Sequence, residues 1–396
     1  MKIQYKNPSS RLSILECFSS SYSDDFLKDY YLIGCQHLLP STHLMLRSFF
    51  DNGLRPERTA LIGKCYSTSP TTHALMQEEG IYVCPSSTQF DSHQSYDDQF
   101  QENMSLFLKN TIDKLKIPFG AKVIVLDDGG ELISIINKNT SRFGKIIGVE
   151  QTSAGYHKLA AIHLKMPVVN VARSSTKLVM ESSMVTDPQI QKITRFLNSS
   201  GLKPEKVLII GNGALGKHVA LAFRSFYEVT CYDKVAQLSE IKEAHLDVSS
   251  FDLIVGATGS AILTKEQLCN LKRNVVLASV SSSDREFNAP YLRRRIKKID
   301  NCHTDLFIDG IHLLNCGFPL NFQGADEDTI PLEKIQITIA LLFLAVYQGI
   351  SSQNSQKGLV SLDQYNQKIA LRKFYSLDNK EILQTKYRNN ILRRAV

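Results

Sequence analysis

The chain has 396 residues, with 46 basic against 39 acidic side chains, a formal net charge of +7, 43% hydrophobic and 21% charged residues. At roughly 100–200 residues per domain the length suits two or three domains, and the composition excludes a globally disordered chain. The charge excess is too small to imply nucleic acid, and it is partly local: Arg293, Arg294, Arg295, Lys297 and Lys298 form one run, and Arg388, Arg393 and Arg394 lie near the C-terminus, both expected to be solvated faces.

In chain order, the first ~85 residues read as mixed helix and short strand, with strands at 59–63 and 80–84 around a helix at 67–80. Residues 85–103 are polar and run from a loop into a helix containing Met104, Leu106, Phe107 and Leu108. Lys122 to Leu126 is a continuous apolar run, as in a strand buried on both faces. Strands follow at 145–149 and 167–171, around a helix at about 156–164. Residues 198–206 have linker composition with a Pro/Gly break. A second α/β unit opens at 207–210 and continues in strands at 228–232, 253–256 and 275–279. Residues 328–349 read as a long apolar helix with Thr329 as cap, Pro331 in the first turn and Gly349 at the end. The last ~45 residues are polar and helical at best.

The N-terminus MKIQYKNPSSRL lacks the apolar centre of a signal peptide. The most apolar stretch, 337–347, falls short of the ~20 residues that cross a bilayer. Eight cysteines are scattered, with neither Cys-x-x-Cys nor zinc-finger spacing. Reduced, mostly buried thiols in a cytosolic protein, without metal or membrane, are expected.

Residues 207–216, VLIIGNGALG, are a strand followed by Gly-x-Gly-x-x-Gly at a helix start. Gly211 allows the tight turn, Gly213 lets backbone approach a pyrophosphate, and Gly216 lets helix and strand pack closely. The helix N-terminus offers free N–H groups to phosphate. Asp233 ends the next strand about 20 residues on, where a carboxylate holds the adenosine ribose diol and repels a 2′-phosphate, so NAD is expected over NADP. Thr258, after a further strand, is a second candidate contact. The other reading is a doubly wound domain that binds nothing.

Asp127-Asp128-Gly129-Gly130 lies at the carboxyl end of a strand, where open α/β sheets place ligands. It is either a site or a tight turn with exposed aspartates. Lys177 follows the 167–171 strand and is either a base in the same cleft or a surface lysine; His37 is likewise catalytic or merely packed.

Taken together the motifs resemble the S-adenosylhomocysteine hydrolases (adenosylhomocysteinases). The resemblance rests on VLDDGGEL at 125–132, GVEQTSAGYHKL at 148–159, VVNVARSSTK at 168–177, GNGALGK at 211–217, LLNCGF at 313–318, QHLLPST at 36–42 and CYSTS at 65–69. It implies a bound NAD that oxidises the substrate's ribose 3′-hydroxyl, so that the 5′-thiol can be eliminated and water added. On that pattern Lys177 and Glu181 serve the 3′-hydroxyl, and Asp128 and His37 work near C4′ and C5′. Thr152 and Asn315 contact NAD, while Ser67, Gln151 and Ser182 face the substrate. The pattern has departures. Gln151 stands for a glutamate and cannot carry a proton. Glu181-Ser182 replaces Asp-Asn, Ser282 replaces a histidine, and Gly317-Phe318-Pro319 lacks another. Lys386-Tyr387 echoes only loosely a C-terminal pair that reaches a neighbouring subunit's NAD.

The expected fold is α/β in two domains, a substrate domain with a parallel sheet (1–190) and an inserted Rossmann NAD domain (191–350). Residues 351–396 are expected to return to the first domain or to a partner subunit. The leading function is NAD-dependent oxidation of an adenosine compound by a homo-oligomer, the alternative a catalytically silent NAD-binding homologue.

Overall fold

The computed structural model describes residues 12–376, apart from 282, 325, 327 and 353–355. The N-terminal residues before 12, the basic tail at Arg388, Arg393 and Arg394, the Lys386-Tyr387 echo and Ser282 lie outside the described residues. The strands are β1 (Tyr30–Cys35), β2 (Thr59–Ile62), β3 (Tyr82–Val83), β4 (Lys122–Asp127), β5 (Lys145–Glu150), β6 (Pro167–Asn170), β7 (Lys206–Ile210), β8 (Glu228–Tyr232), β9 (Leu253–Gly256), β10 (Val275–Ser279), β11 (Leu306–Ile308), β12 (Ile311–Leu313) and β13 (Gly358–Ser361).

They form two sheets. The first is parallel throughout, in the order β13-β6-β5-β4-β1-β2-β3. Strand order reverses between β1 and β4, and that switch point opens a crevice beyond their carboxyl ends. The second runs β11-β12-β10-β9-β7-β8, parallel except for β11, with its switch point between β7 and β9. Runs such as KVIVLD and VVLAS are buried almost end to end because helices cover both faces of each sheet. The expected two-domain α/β class is what the chain adopts.

The 26-residue helix Ser175–Ser200 joins the two units, closed by Gly201 at φ +69°. It runs through the region expected to divide the chain. The next long helix starts at Leu332 and ends at Ser351, later than expected. Pro331 is extended, and Asp328 is drawn away to accept from the Ser41 N–H at 2.9 Å and from its hydroxyl, so Thr329 caps nothing. This helix packs against β5, β6 and helix Pro40–Asp51 in the core of the first sheet. The chain therefore returns to that sheet before residue 350. Leu332–Ser351 is long and apolar enough to cross a membrane, unlike the shorter stretch expected, and 72% of its apolar window is buried inside the protein.

Four further expectations are corrected. Residues after 351 are not helical at best: β13 pairs with β6, because a four-residue edge strand is created by its partner and not by its own pattern. The helix after β5 begins at Ser153, where the Thr152 hydroxyl caps the Gly155 N–H at 3.0 Å, and ends at Ala160. The helix before β3 begins at Pro70, where the Ser69 hydroxyl caps the Thr72 N–H. Arg293 is no part of a solvated run: its side chain is fully buried, while Arg294, Arg295, Lys297 and Lys298 are exposed. All eight cysteines are free, five of them buried.

Candidate functional site

Four strand ends of the first sheet converge over the β1/β4 switch point. After β1 comes His37, after β2 Lys64 and Ser67, after β4 Asp128, and after β5 Gln151. The Asp128 carboxylate gathers them. Lys64 Nζ donates to Oδ1, Gln151 Nε2 donates to Oδ2, and His37 Nε2 lies 3.3 Å from Oδ2. The other imidazole nitrogen, Nδ1, bonds the Ser67 hydroxyl at 2.6 Å. Asp127 and Asp128 are both buried, so the exposed-turn reading of the Asp-Asp pair fails. Lys64 was not singled out in the sequence. The signal was its place, two residues beyond β2, matching that of His37 two residues beyond β1.

Behind this cluster lie two more buried carboxyls. Asp127 and Glu150 are register partners on β4 and β5. Glu150 Oε1 accepts from the Thr152 hydroxyl and N–H, both at 2.7 Å, and from Gly129 N–H at 3.2 Å. Asp127 Oδ2 accepts from Ile133 N–H at 2.8 Å. Asp127 Oδ1 and Glu150 Oε2 have no donor. A Cβ on Gly155 would collide with the Glu150 carboxyl, which is why the chain carries glycine there. Burial, and then the Asp127 charge, push Glu150 up to about 8, and burial above all pushes Asp127 up to about 7.

A carboxyl raised on folding holds a proton that the unfolded chain has released. From about pH 4.5 to about pH 8 the folded state therefore binds more protons, and stability falls as pH rises across that window. Glu150→Gln keeps the Oε1 acceptor and removes this titration. We expect thermal melts to show the variant gaining on the parent as pH rises to about 8. A variant whose advantage is the same at about pH 5 and about pH 8 would mean that Glu150 is already ionised in the fold.

Lys177 and Glu181 occupy the start of helix Ser175–Ser200, beyond the end of β6 and two strands along from β4. The Lys177 side chain is buried rather than on the surface, and pairs with Glu181 at 2.5 Å. The Ser174 hydroxyl caps the Lys177 N–H. Ser182, half-buried one residue on, offers its carbonyl to the Thr186 hydroxyl at 2.7 Å.

In the second sheet, Gly211 (φ +98°) lies against Ala257, and a Cβ on Gly216 would collide with the Gly211 carbonyl, so both positions require glycine. Gly213 has nothing within 4 Å of where its Cβ would be, and helix Ala214–Phe223 begins there without a side-chain cap. Asp233 accepts from Asn212 N–H at 2.7 Å and Val235 N–H at 2.9 Å, one bond per carboxylate oxygen, which leaves lone pairs on each. An open glycine, uncapped helical N–H groups and a carboxylate at the next strand end fit the phosphates and ribose of a dinucleotide.

Two other expected cofactor contacts already have partners within the protein, Thr258 at an exposed position and Asn315 in the interior. The Thr258 hydroxyl and N–H donate to the buried Glu286 carboxylate at 3.1 and 2.6 Å. Asn315, fully buried at φ +53°, donates to the Pro319 and Phe322 carbonyls at 2.9 and 3.1 Å and accepts from Lys192 at 3.0 Å. Thr152 is likewise occupied by its cap and by Glu150. Aromatic rings link the two units. The Phe322 ring lies 4.6 Å from the His37 imidazole, and Tyr66 lies 5.0 Å from Phe318. The sequence patterns did not single out Glu286 or Phe322. Among the described residues no cluster could hold a metal ion.

These features define a two-sheet α/β protein with a polar cluster at one switch point and a Rossmann-type glycine loop at the other. Uncharacterized protein Rv0104 of Mycobacterium tuberculosis (strain ATCC 25618 / H37Rv) is 38% identical over 340 residues, spanning 83% of this chain and 67% of the relative. Uncharacterized protein MT0113 of strain CDC 1551 / Oshkosh matches to the same extent. The chain belongs to the family of these proteins. No family model matches it. Among solved structures it is similar to dipicolinate synthase A chain from Bacillus subtilis, at TM-score 0.40 and 12% identity over 82% of this chain and 97% of that one. It is also similar to NAD+-bound 3-phosphoglycerate dehydrogenase of Entamoeba histolytica, at TM-score 0.36 and 10% identity over 83% and 98%.

Proposed function

We propose that the protein is an NAD-dependent enzyme that oxidises the ribose of S-adenosylhomocysteine or a related adenosine compound. The observation that carries this reading is the convergence of His37, Ser67 and Gln151 with Asp128 at the β1/β4 switch point. The same residues fall in the segments that resemble the adenosylhomocysteinases. NAD, held over Gly211, Gly213 and Gly216 with Asp233 at its ribose, would supply a hydride acceptor. Lys177, with Glu181 beside it, takes the proton of the 3′-hydroxyl. His37 and Asp128 serve the C4′ and C5′ end, and Ser67 and Ser182 orient the sugar. Gln151 holds Asp128 but carries no proton, so oxidation is expected to outrun thioether cleavage. The silent-homologue reading keeps one specific support, the bonds that already occupy Thr258 and Asn315.

The test is to denature the purified full chain, assay released NAD, and follow NADH absorbance of the native protein with adenosine. Bound NAD, NADH with adenosine, and little homocysteine from S-adenosylhomocysteine are expected. Gly213→Val fills open space at an ordinary φ of −75°, so it should leave melting unchanged while NAD binding falls at least about tenfold, by ~1.4 kcal/mol or more. Absence of NADH with every adenosine compound tried would leave the silent homologue.

A further inference from the structure

We propose that Lys64 is a positioning residue that holds Asp128 as a fixed anion, leaving His37 as the proton-exchanging group among the side chains gathered on Asp128. The inference rests on the function proposed above and deepens it, because it takes the proton-carrying role away from Asp128.

The geometry follows from the sheet. β2 and β4 flank β1, so residues just beyond their ends reach across the end of β1 toward each other. Lys64 arrives from one side and Asp128 from the other, with side chains 7% and 5% exposed. Neither charge can be left alone at that depth, since an unpaired buried ion costs several kcal/mol. Burial alone would raise Asp128, yet the Lys64 ammonium and then His37 hold it well below the usual carboxylate range. Burial would lower Lys64, but Asp128 above all holds it well above its ordinary value.

The thiol and the phenol beside the cluster do not compete near neutrality. Cys35, whose thiol donates to the Asp128 carbonyl at 3.7 Å, and Tyr66 are both pushed up, chiefly by burial, so neither forms an anion there. Asp127 and Glu150, raised chiefly by burial to about 7 and about 8, do titrate near neutrality, but they lie behind Asp128 and bond to Ile133, Gly129 and Thr152 rather than to His37. Asp328, beyond His37, is raised by burial and held by Ser41.

A fixed anion at Nε2 also selects the imidazole tautomer. The ring proton stays on Nε2, facing Asp128, and Nδ1 is left to accept from the Ser67 hydroxyl. A proton taken up by the cluster then lands on Nδ1, on the side shared with Ser67. The sequence-based role for Asp128 near C4′ becomes electrostatic, and His37 becomes the acid–base group.

Two NMR titrations test this on the full chain, and neither needs nucleoside or NADH formation. In the unmodified protein the carbon-13-labelled Asp128 carboxyl should not titrate between about pH 4 and about pH 9, where an ordinary aspartate completes its ionisation. In Lys64→Met, His37 becomes the sole counter-cation of Asp128, and its midpoint should rise by about one pH unit. An Asp128 carboxyl titrating inside that range, or an unmoved His37 midpoint in Lys64→Met, overturns the proposal. Should the variant not fold, the carboxyl titration of the unmodified chain decides alone. A chain that passes both titrations yet forms no NADH would lose the proposed function and keep the role of Lys64.

Discussion

Arg293→Met is expected to cost about 3–5 kcal/mol of folding free energy, the range for removing one partner of a buried ion pair. The Arg293 guanidinium has no exposed surface and makes four hydrogen bonds. It donates to Asp284 at 2.6 Å, to the Ser92 and Gln94 carbonyls at 2.7 and 3.0 Å, and to the Cys316 carbonyl at 2.9 Å. Two of these acceptors lie on the polar loop between β3 and helix Tyr96–Lys114, so the residue ties that loop to the second unit. Phe90 and Phe318 flank its planar group at 5.3 and 5.5 Å. Methionine fills much of the volume but leaves three carbonyls without donors. Asp284, which burial already raises, keeps the Tyr96 N–H and a long bond from the Ser283 hydroxyl at 3.5 Å. Adding Asp284→Asn should recover part of the loss, because the stranded charge is then gone and the two changes share one network. Urea unfolding of the three variants measures this. A single-variant loss below about 1 kcal/mol would put Arg293 among ordinary surface ion pairs.

That residue also marks where sequence reading runs out. In the chain Arg293 is one of five cations within six positions, and nothing in composition separates it from its solvated neighbours. The return of the 90–94 loop, together with Asp284 and the Cys316 carbonyl, supplies the acceptors that make burial possible. The strands behave differently. β9 and β10 fall where the apolar runs predict them, because a parallel strand covered on both faces must be apolar along its length. β11, β12 and β13 have three or four residues each and are made by their partners, so no local pattern announces them.

The same division holds in the site. His37, Ser67, Asp128 and Gln151 were legible because motif segments carry them to strand ends, and the strand order brings those ends together. Lys64 sits at an equivalent strand end but outside a motif, and its meaning is pairwise: it matters because Asp128 is across from it. Thr258 and Asn315 were legible as loop positions. The direction of their side chains was not, because it depends on Glu286, 28 residues beyond Thr258, and on the Pro319 and Phe322 carbonyls.

Lys177→Ala should leave NAD bound while the rate of NADH formation with adenosine falls by about 10²–10⁴, the usual cost of losing a general base. Lys177 lies in the first turn of helix Ser175–Ser200, at the positive end of its dipole, an unfavourable place for a cation. Glu181, one turn on and 27% exposed, compensates at 2.5 Å. Arginine separates a proton-accepting role for Lys177 from simple charge. Lys177→Arg preserves a cation for Glu181 but cannot be deprotonated, so it should be nearly as slow as alanine. A helix-stabilising ion pair predicts the reverse, with arginine active and alanine unstable. Stopped-flow NADH absorbance, alongside the NAD content and melting point of each variant, distinguishes the two. Full activity in Lys177→Arg would assign Lys177 to structure and leave the 3′-hydroxyl without its base.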